Sequence, residues 1–205
     1  MALPGTFKAH SPAEILRANG PEIEYSQGVS AARHIQNLAL IGFMGTGKSS
    51  VGRLVADALH FTFLDTDDVI IGRAGKSIAD IFEQNGEPAF RELERGLVEE
   101  LTQRKKTVIS TGGGLPVNEV NLTRLKSHAL VICLWASPEK IWTRVSGQTH
   151  RPLLREADPL AKIRKLLAER EPYYRQADVL LNTDFRSVRE VAGQVLHQFH
   201  MARQT

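Results

Sequence analysis

Gly42-Phe-Met-Gly-Thr-Gly-Lys48-Ser49 sets four residues between a glycine and Gly-Lys-Ser, the spacing of a loop that wraps phosphate groups. Its glycines let successive backbone N–H groups turn inward. Lys48 brings a point charge to the β/γ side of a nucleoside triphosphate, and the Ser49 hydroxyl can coordinate Mg²⁺. The apolar run Asn37-Leu-Ala-Leu-Ile41 leads into the loop, and Ser50-Val-Gly-Arg-Leu-Val-Ala-Asp-Ala-Leu59 leaves it with apolar residues at helical spacing. That is the order strand, loop, helix, and a helix N-terminus favours anions by itself. A plain glycine-rich turn between strand and helix is the competing reading.

Outward from this loop, apolar strands near 37–41, 61–65, 107–110, 129–135 and 178–182 alternate with amphipathic helices. Continuous apolar strands separated by helices predict a parallel sheet covered on both faces. Ligands of such sheets gather at the carboxyl ends of the strands. The glycine loop, Asp65-Thr-Asp67 and Thr111-Gly-Gly-Gly114 are therefore expected to line one crevice. The stretch 67–106 is longer than one crossover helix needs and carries helical patterns over 77–84 and 88–104, so it reads as an insertion over the strand ends that binds an acceptor. The polar stretch 146–159, with Gly147, Arg151, Pro152 and Arg155, reads as a lid.

A chain of 205 residues with 42% hydrophobic composition can bury one good core. Its net charge of +3, with arginines gathered between Arg144 and Arg175, suits a phosphate-rich ligand. No nucleic-acid motif or metal-ligand cluster is present in the sequence. Cys133 is the only cysteine, so no intramolecular disulfide can form, and its place in Ala129-Leu-Val-Ile-Cys-Leu-Trp135 predicts a buried, inert thiol. That run is too short to span a bilayer and the N-terminus lacks a secretory pattern, so a cytoplasmic protein is expected. Residues 1–36, with Pro4, Gly5, Pro12, Gly20, Pro21 and Gly28, read as a poorly ordered extension with at most one short helix, ahead of a single domain over 37–205.

Asp65 and Asp67 lie two apart at a predicted strand end, which would direct both side chains to one side. Asp65 is then placed to hold Mg²⁺ through water, and Asp67 to accept a hydrogen bond from an attacking hydroxyl. A solvated acidic turn that includes Asp68 would use the same residues. Phe90-Arg-Glu-Leu-Glu94 puts Arg91 and Glu94 one helical turn apart; taken alone, they read as a surface ion pair.

In combination, the loop at Gly42, Asp65-Thr-Asp67, Phe90-Arg-x-x-Glu94, Gly112-Gly-Gly114, Arg151-Pro-Leu-Leu and Arg170 ahead of Pro172-Tyr-Tyr resemble shikimate kinase, in that family's order, over residues 37–199. The resemblance implies a P-loop three-layer α/β/α fold with a five-stranded parallel sheet in the order 2-3-1-4-5. It implies ATP-dependent phosphorylation of the 3-hydroxyl of shikimate, within chorismate and aromatic amino-acid biosynthesis. Lys48, Asp67 and Arg151 would carry catalysis. Gly45, Thr46, Gly47, Lys48, Ser49 and Ser50 would hold the phosphates of ATP, with Arg144 stacked on adenine and Arg151, Pro152 and Arg186 nearby. Ser49 and Asp65 would hold Mg²⁺. Shikimate would meet Asp67, Arg91, Glu94, Gly112, Gly113, Gly114 and Arg170, the two arginines gripping its carboxylate. The resemblance also implies a monomer, with no nucleic-acid or membrane partner. A gluconate-type or other small-molecule kinase, and a non-catalytic ligand-binding regulator of the same ancestry, are the competing functions.

Overall fold

The computed structural model describes residues 23–25, 33–147 and 158–204. Strands are β1 (Ile23–Tyr25), β2 (Asn37–Ile41), β3 (Thr62–Asp65), β4 (Thr107–Ser110), β5 (Ala129–Trp135) and β6 (Val179–Asn182). Helices are α1 (Lys48–Leu59), α2 (Thr66–Ala74), α3 (Ile78–Leu101), α4 (Glu119–His128), α5 (Pro138–Val145), α6 (Pro159–Tyr174) and α7 (Val188–Ala202), with a 3₁₀ turn at Leu115–Val117.

β2 to β6 form the parallel sheet in the expected order, β3-β4-β2-β5-β6. Alternation along β2 and β5 builds a core on each face. Leu38, Leu40, Leu130, Ile132 and Leu134 pack with Val51, Val55, Val195 and Phe199 from α1 and α7. Ala39, Ile41, Val131 and Cys133 pack with Ile70, Leu97, Leu125, Ile141 and Leu167 from α2 to α6. Three layers follow from strands buried on both sides. Cys133 is fully buried, which pushes its thiol up to about 12, so it is an inert packing residue.

The sheet also has a sixth strand. Within the segment read as an extension, β1 pairs antiparallel with β6, Ile23 opposite Leu181 and Tyr25 opposite Val179. It covers what would otherwise be an unpaired edge. Arg33 secures the same corner, with Nη1 and Nη2 donating to Asp178 Oδ1 (2.9 Å) and Oδ2 (2.6 Å), and Nη2 also donating to the Ala129 carbonyl (2.9 Å). Asp178 accepts from the Val131 N–H as well, at 2.8 Å, and its side chain is only 4% exposed. Replacing Arg33 by alanine leaves a nearly buried carboxylate short of two donors. The expected loss is about 2 kcal/mol, read by urea unfolding. Because Ala129 and Asp178 lie at the amino ends of β5 and β6, far from the ligand end, KM values should stay unchanged.

The stretch 67–106 is built differently from the periodicity reading. Asp65 ends β3 and at once caps α2, its carboxylate accepting from the Asp67 N–H at 3.1 Å. Asp67 therefore sits in the first helical turn and not on an extended strand end, because an Asp side chain satisfies the open amides of a helix start. The two expected helices at 77–84 and 88–104 are both present within α3, separated at Gly86 (φ 79, ψ 167), and the second ends at Leu101. Only glycine enters that backbone region without strain. Ser77 and Asp80 form a capping box at its start.

Candidate active site

A cleft of about 940 Å³ opens at the carboxyl ends of the strands. Residues of the glycine loop, Asp65, Asp67, Thr111, Gly112 and Gly113 line one part of it, as the parallel-sheet rule predicts. Thr143 and Arg144 from α5 and Thr183 to Val188 line the other. Gly47 (φ 95) turns the loop into α1, so the first amides of that helix face the cleft. Lys48 is buried and its Nζ donates to the carbonyls of Gly42 (2.9 Å) and Phe43 (2.8 Å). Thr46 braces the same loop through Oγ1 to the Phe43 carbonyl at 2.8 Å. Ser50 follows on α1 and also lines the cleft.

Ser49 Oγ donates to Asp65 Oδ2 at 2.8 Å and lies 3.3 Å from Ser110 Oγ. These are hard oxygen donors at the end of a phosphate loop. Such a set suits Mg²⁺, which takes few protein ligands and completes its shell with phosphate and water. No group of three His, Cys, Asp or Glu side chains able to hold a metal exists among the described residues, so a site of that kind would need the phosphates themselves.

The three glycines after β4 bring the remaining acidic and basic groups together. A methyl on Gly112 would overlap the Asp67 carboxylate; one on Gly113 would stand 3.5 Å from Arg170 Nη1 and from the Met44 N–H nitrogen; one on Gly114 would stand 2.7 Å from Arg91 Nη1. Asp67, Arg170 and Arg91 thus converge on one turn. Arg170 also lies over the Phe43 ring, 5.4 Å from its centroid, beside the carbonyl that anchors Lys48. Arg91, Glu94, Gly114 and Arg170 fall outside the main cleft's lining and adjoin it through this turn.

Arg91 and Glu94 are an ion pair, at 2.7 Å, but not a surface one: the Glu94 side chain is 1% exposed. Burial pushes the Glu94 carboxyl up; Arg91 pulls it down, and the charge of Asp67 adds to the rise. The Arg91 guanidinium donates Nε and Nη2 to Glu87 Oε1 (3.0 and 2.6 Å) and Nη1 to Glu94 Oε2. Of five N–H groups, one on each terminal nitrogen is left over from these bonds, which is the fork a carboxylate accepts.

The shikimate kinase family model matches residues 44–200. The chain belongs to the shikimate kinase family. It is 44% identical over 165 residues to the shikimate kinase of Caldanaerobacter subterraneus subsp. tengcongensis, covering 80% of this chain and 96% of that protein. To the shikimate kinase of Thermodesulfovibrio yellowstonii it is 41% identical over 165 residues, covering 80% of this chain and 95% of that protein. Among solved structures, shikimate kinase from Acinetobacter baumannii in complex with shikimate superposes with a TM-score of 0.78 at 36% identity, covering 83% of this chain and 96% of that one. A gluconokinase from Sinorhizobium meliloti 1021 shares the fold alone, with a TM-score of 0.53 at 16% identity.

Within this family member, Arg144 lines the cleft, with Nη1 donating to Thr183 Oγ1 (2.9 Å) and the Gly45 carbonyl (3.3 Å). Arg186 lines it too, its Nη1 on the Asn182 carbonyl at 2.6 Å. Arg151 and Pro152, with most of the stretch 146–159, lie outside the described residues. Two supports escaped the sequence reading. Thr66 Oγ1 accepts from the Gly112 N–H at 2.9 Å. Tyr174, read as packing, is fully buried and donates its hydroxyl to the Gly113 carbonyl at 2.6 Å. It holds the glycine turn from α6, the helix that also carries Arg170. The only signal for it in the sequence was its place four residues, about one helical turn, after that arginine.

Proposed function

We propose that the chain transfers the γ-phosphoryl group of ATP to the 3-hydroxyl of shikimate, serving chorismate and aromatic amino-acid biosynthesis in the cytoplasm as a monomer. The observation that carries this reading is the convergence of Asp67, Arg91 and Arg170 on Gly112 to Gly114, next to the loop that holds Lys48. The backbone amides of Gly45 to Ser50 hold the phosphates, and Lys48 leaves its loop carbonyls for the β/γ oxygens. Ser49 and Asp65 hold Mg²⁺, which neutralises charge on the phosphates when bound. Arg91 and Arg170 bind the acceptor's carboxylate, Glu94 fixes Arg91, and Gly112 to Gly114 let the ring approach bare backbone. Asp67 then orients the alcohol or takes its proton. Arg151 serves as a charge on the transferring phosphoryl group, and Arg144 and Arg186 lie toward the base with Pro152.

Positioning of the reactants accounts for most of the acceleration in such a reaction. ADP release with ATP and Mg²⁺, compared among shikimate, gluconate and nucleoside monophosphates, tests the assignment: only shikimate should give turnover. A gluconate signal, or none, would reject it. Gly114→Ala should raise KM for shikimate by about 10- to 100-fold, because its methyl displaces the Arg91 fork. The value for ATP should hold, and steady-state kinetics with each substrate varied reads the difference.

A further inference from the structure

Tyr174 gives its hydroxyl proton to the middle carbonyl of a turn made of three glycines. The neighbouring peptides of that turn have restraints of their own. The Gly112 N–H donates to Thr66 Oγ1 at 2.9 Å, the Leu115 N–H to the Gly112 carbonyl at 3.2 Å, and the Val117 N–H to the Gly114 carbonyl at 3.1 Å. The peptide that joins Gly113 to Gly114 has the phenol. With no Cβ on either side, such a peptide rotates at little steric cost unless a bond holds it.

A trans peptide is planar, and its C=O and N–H point in opposite directions. Tyr174 lies wholly inside the core, whereas Gly113 and Gly114 are half-buried. The carbonyl it holds is therefore turned inward, and the Gly114 N–H of the same peptide is turned away from the core. That N–H bonds no acceptor among the described residues. Arg91 stands beside it, since a methyl on Gly114 would lie 2.7 Å from Arg91 Nη1. Burial pushes the Tyr174 hydroxyl pKa up and Arg170 pulls it part of the way back, so the phenol keeps its proton and remains a donor at neutral pH. A buried tyrosine takes some partner for its hydroxyl in any case. This one has taken the carbonyl that decides where a neighbouring amide points.

We infer that Tyr174 is a positioning residue for the acceptor: by pinning the Gly113 carbonyl it aims the Gly114 N–H at an oxygen of the bound acid that Arg91 grips. The inference rests on the acceptor reading of this turn. Tyr174 itself touches no reactant. Its hydroxyl acts through one peptide plane, and its ring, packed in the core, has a separate task.

Tyr174→Phe keeps the ring and removes only the hydroxyl, so it separates the two. In steady-state assays the variant should raise KM for shikimate about tenfold, the worth of one well-placed donor, with KM for ATP within about twofold of wild type. Amide spectra of protein labelled with ¹⁵N-glycine read the peptide directly. The Gly114 signal should be single in unliganded wild type and move on adding shikimate; in the variant it should broaden or double before any ligand is added. An unchanged KM for shikimate would overturn the inference. So would an equal rise in both KM values, which would mean general loosening of the fold, or a Gly114 amide indifferent to the loss of the hydroxyl. A wild type without shikimate-dependent turnover would reject the acceptor assignment, and the unliganded Gly114 signal would still decide whether Tyr174 fixes that peptide.

Discussion

Asp67→Asn should lower kcat for shikimate phosphorylation by about 10² to 10⁴ while leaving KM for ATP nearly unchanged. The substitution is close to isosteric, so the side chain still fits beside Gly112, where a methyl group would overlap it. What changes is the charge and the ability to accept a proton. The same cleft wall presents Lys48 and Ser49, so an alcohol held by Asp67 faces the phosphate loop directly. In a loose phosphoryl transfer little proton removal is needed early. A fall near the lower end of the range would make Asp67 chiefly an aligning group; one near the upper end would make it a base. Single-turnover measurement with saturating substrates separates this from product release. An unchanged rate would remove Asp67 from the mechanism.

Arg91→Ala should raise KM for shikimate by about 10²-fold, with a smaller effect on ATP. The variant loses a carboxylate fork and also strands Glu94, whose side chain is 1% exposed. Glu94 already has its carboxyl pushed above the ordinary 4.5 by burial, with Arg91 as the influence that restrains the rise. A carboxyl raised on folding disfavours the native state once pH exceeds its ordinary value, and the full cost is present above the native value. Below the ordinary value the cost vanishes, because both states are protonated. Removing Arg91 enlarges that cost. The variant's stability deficit should therefore be greater at about pH 8 than at about pH 5, as read by urea unfolding at each pH. An equal deficit at both would mean that Glu94 does not depend on this pairing.

The sheet was legible because buried parallel strands leave continuous apolar runs, and the five runs fall within one residue of the observed strands. The phosphate loop was legible for a different reason: its spacing is dictated by ligand geometry. Helix α2 was missed although Asp65 stands before Val69-Ile-Ile71 as a cap would, because an acidic cluster reads equally as a turn. β1 spans three residues, too few for alternation to show. The Glu94 burial was hidden, since a helical Arg and Glu three apart look alike on a surface and in a pocket. Tyr174 reaches Gly113 across 61 positions, and no local pattern encodes such a partner.

The joint at Gly86 divides α3 into two pieces with different freedom to vary. Beyond it, the segment carrying Arg91 is rooted by Phe90, Leu97, Val98 and Leu101, whereas from Ile78 to Asn85 only Ile81 is buried. Substitutions in the outer piece can be absorbed by local rearrangement without tilting the charged fork. With Arg91 in its proposed role, descent with modification can reshape the outer rim residue by residue and leave the seat of that arginine in place.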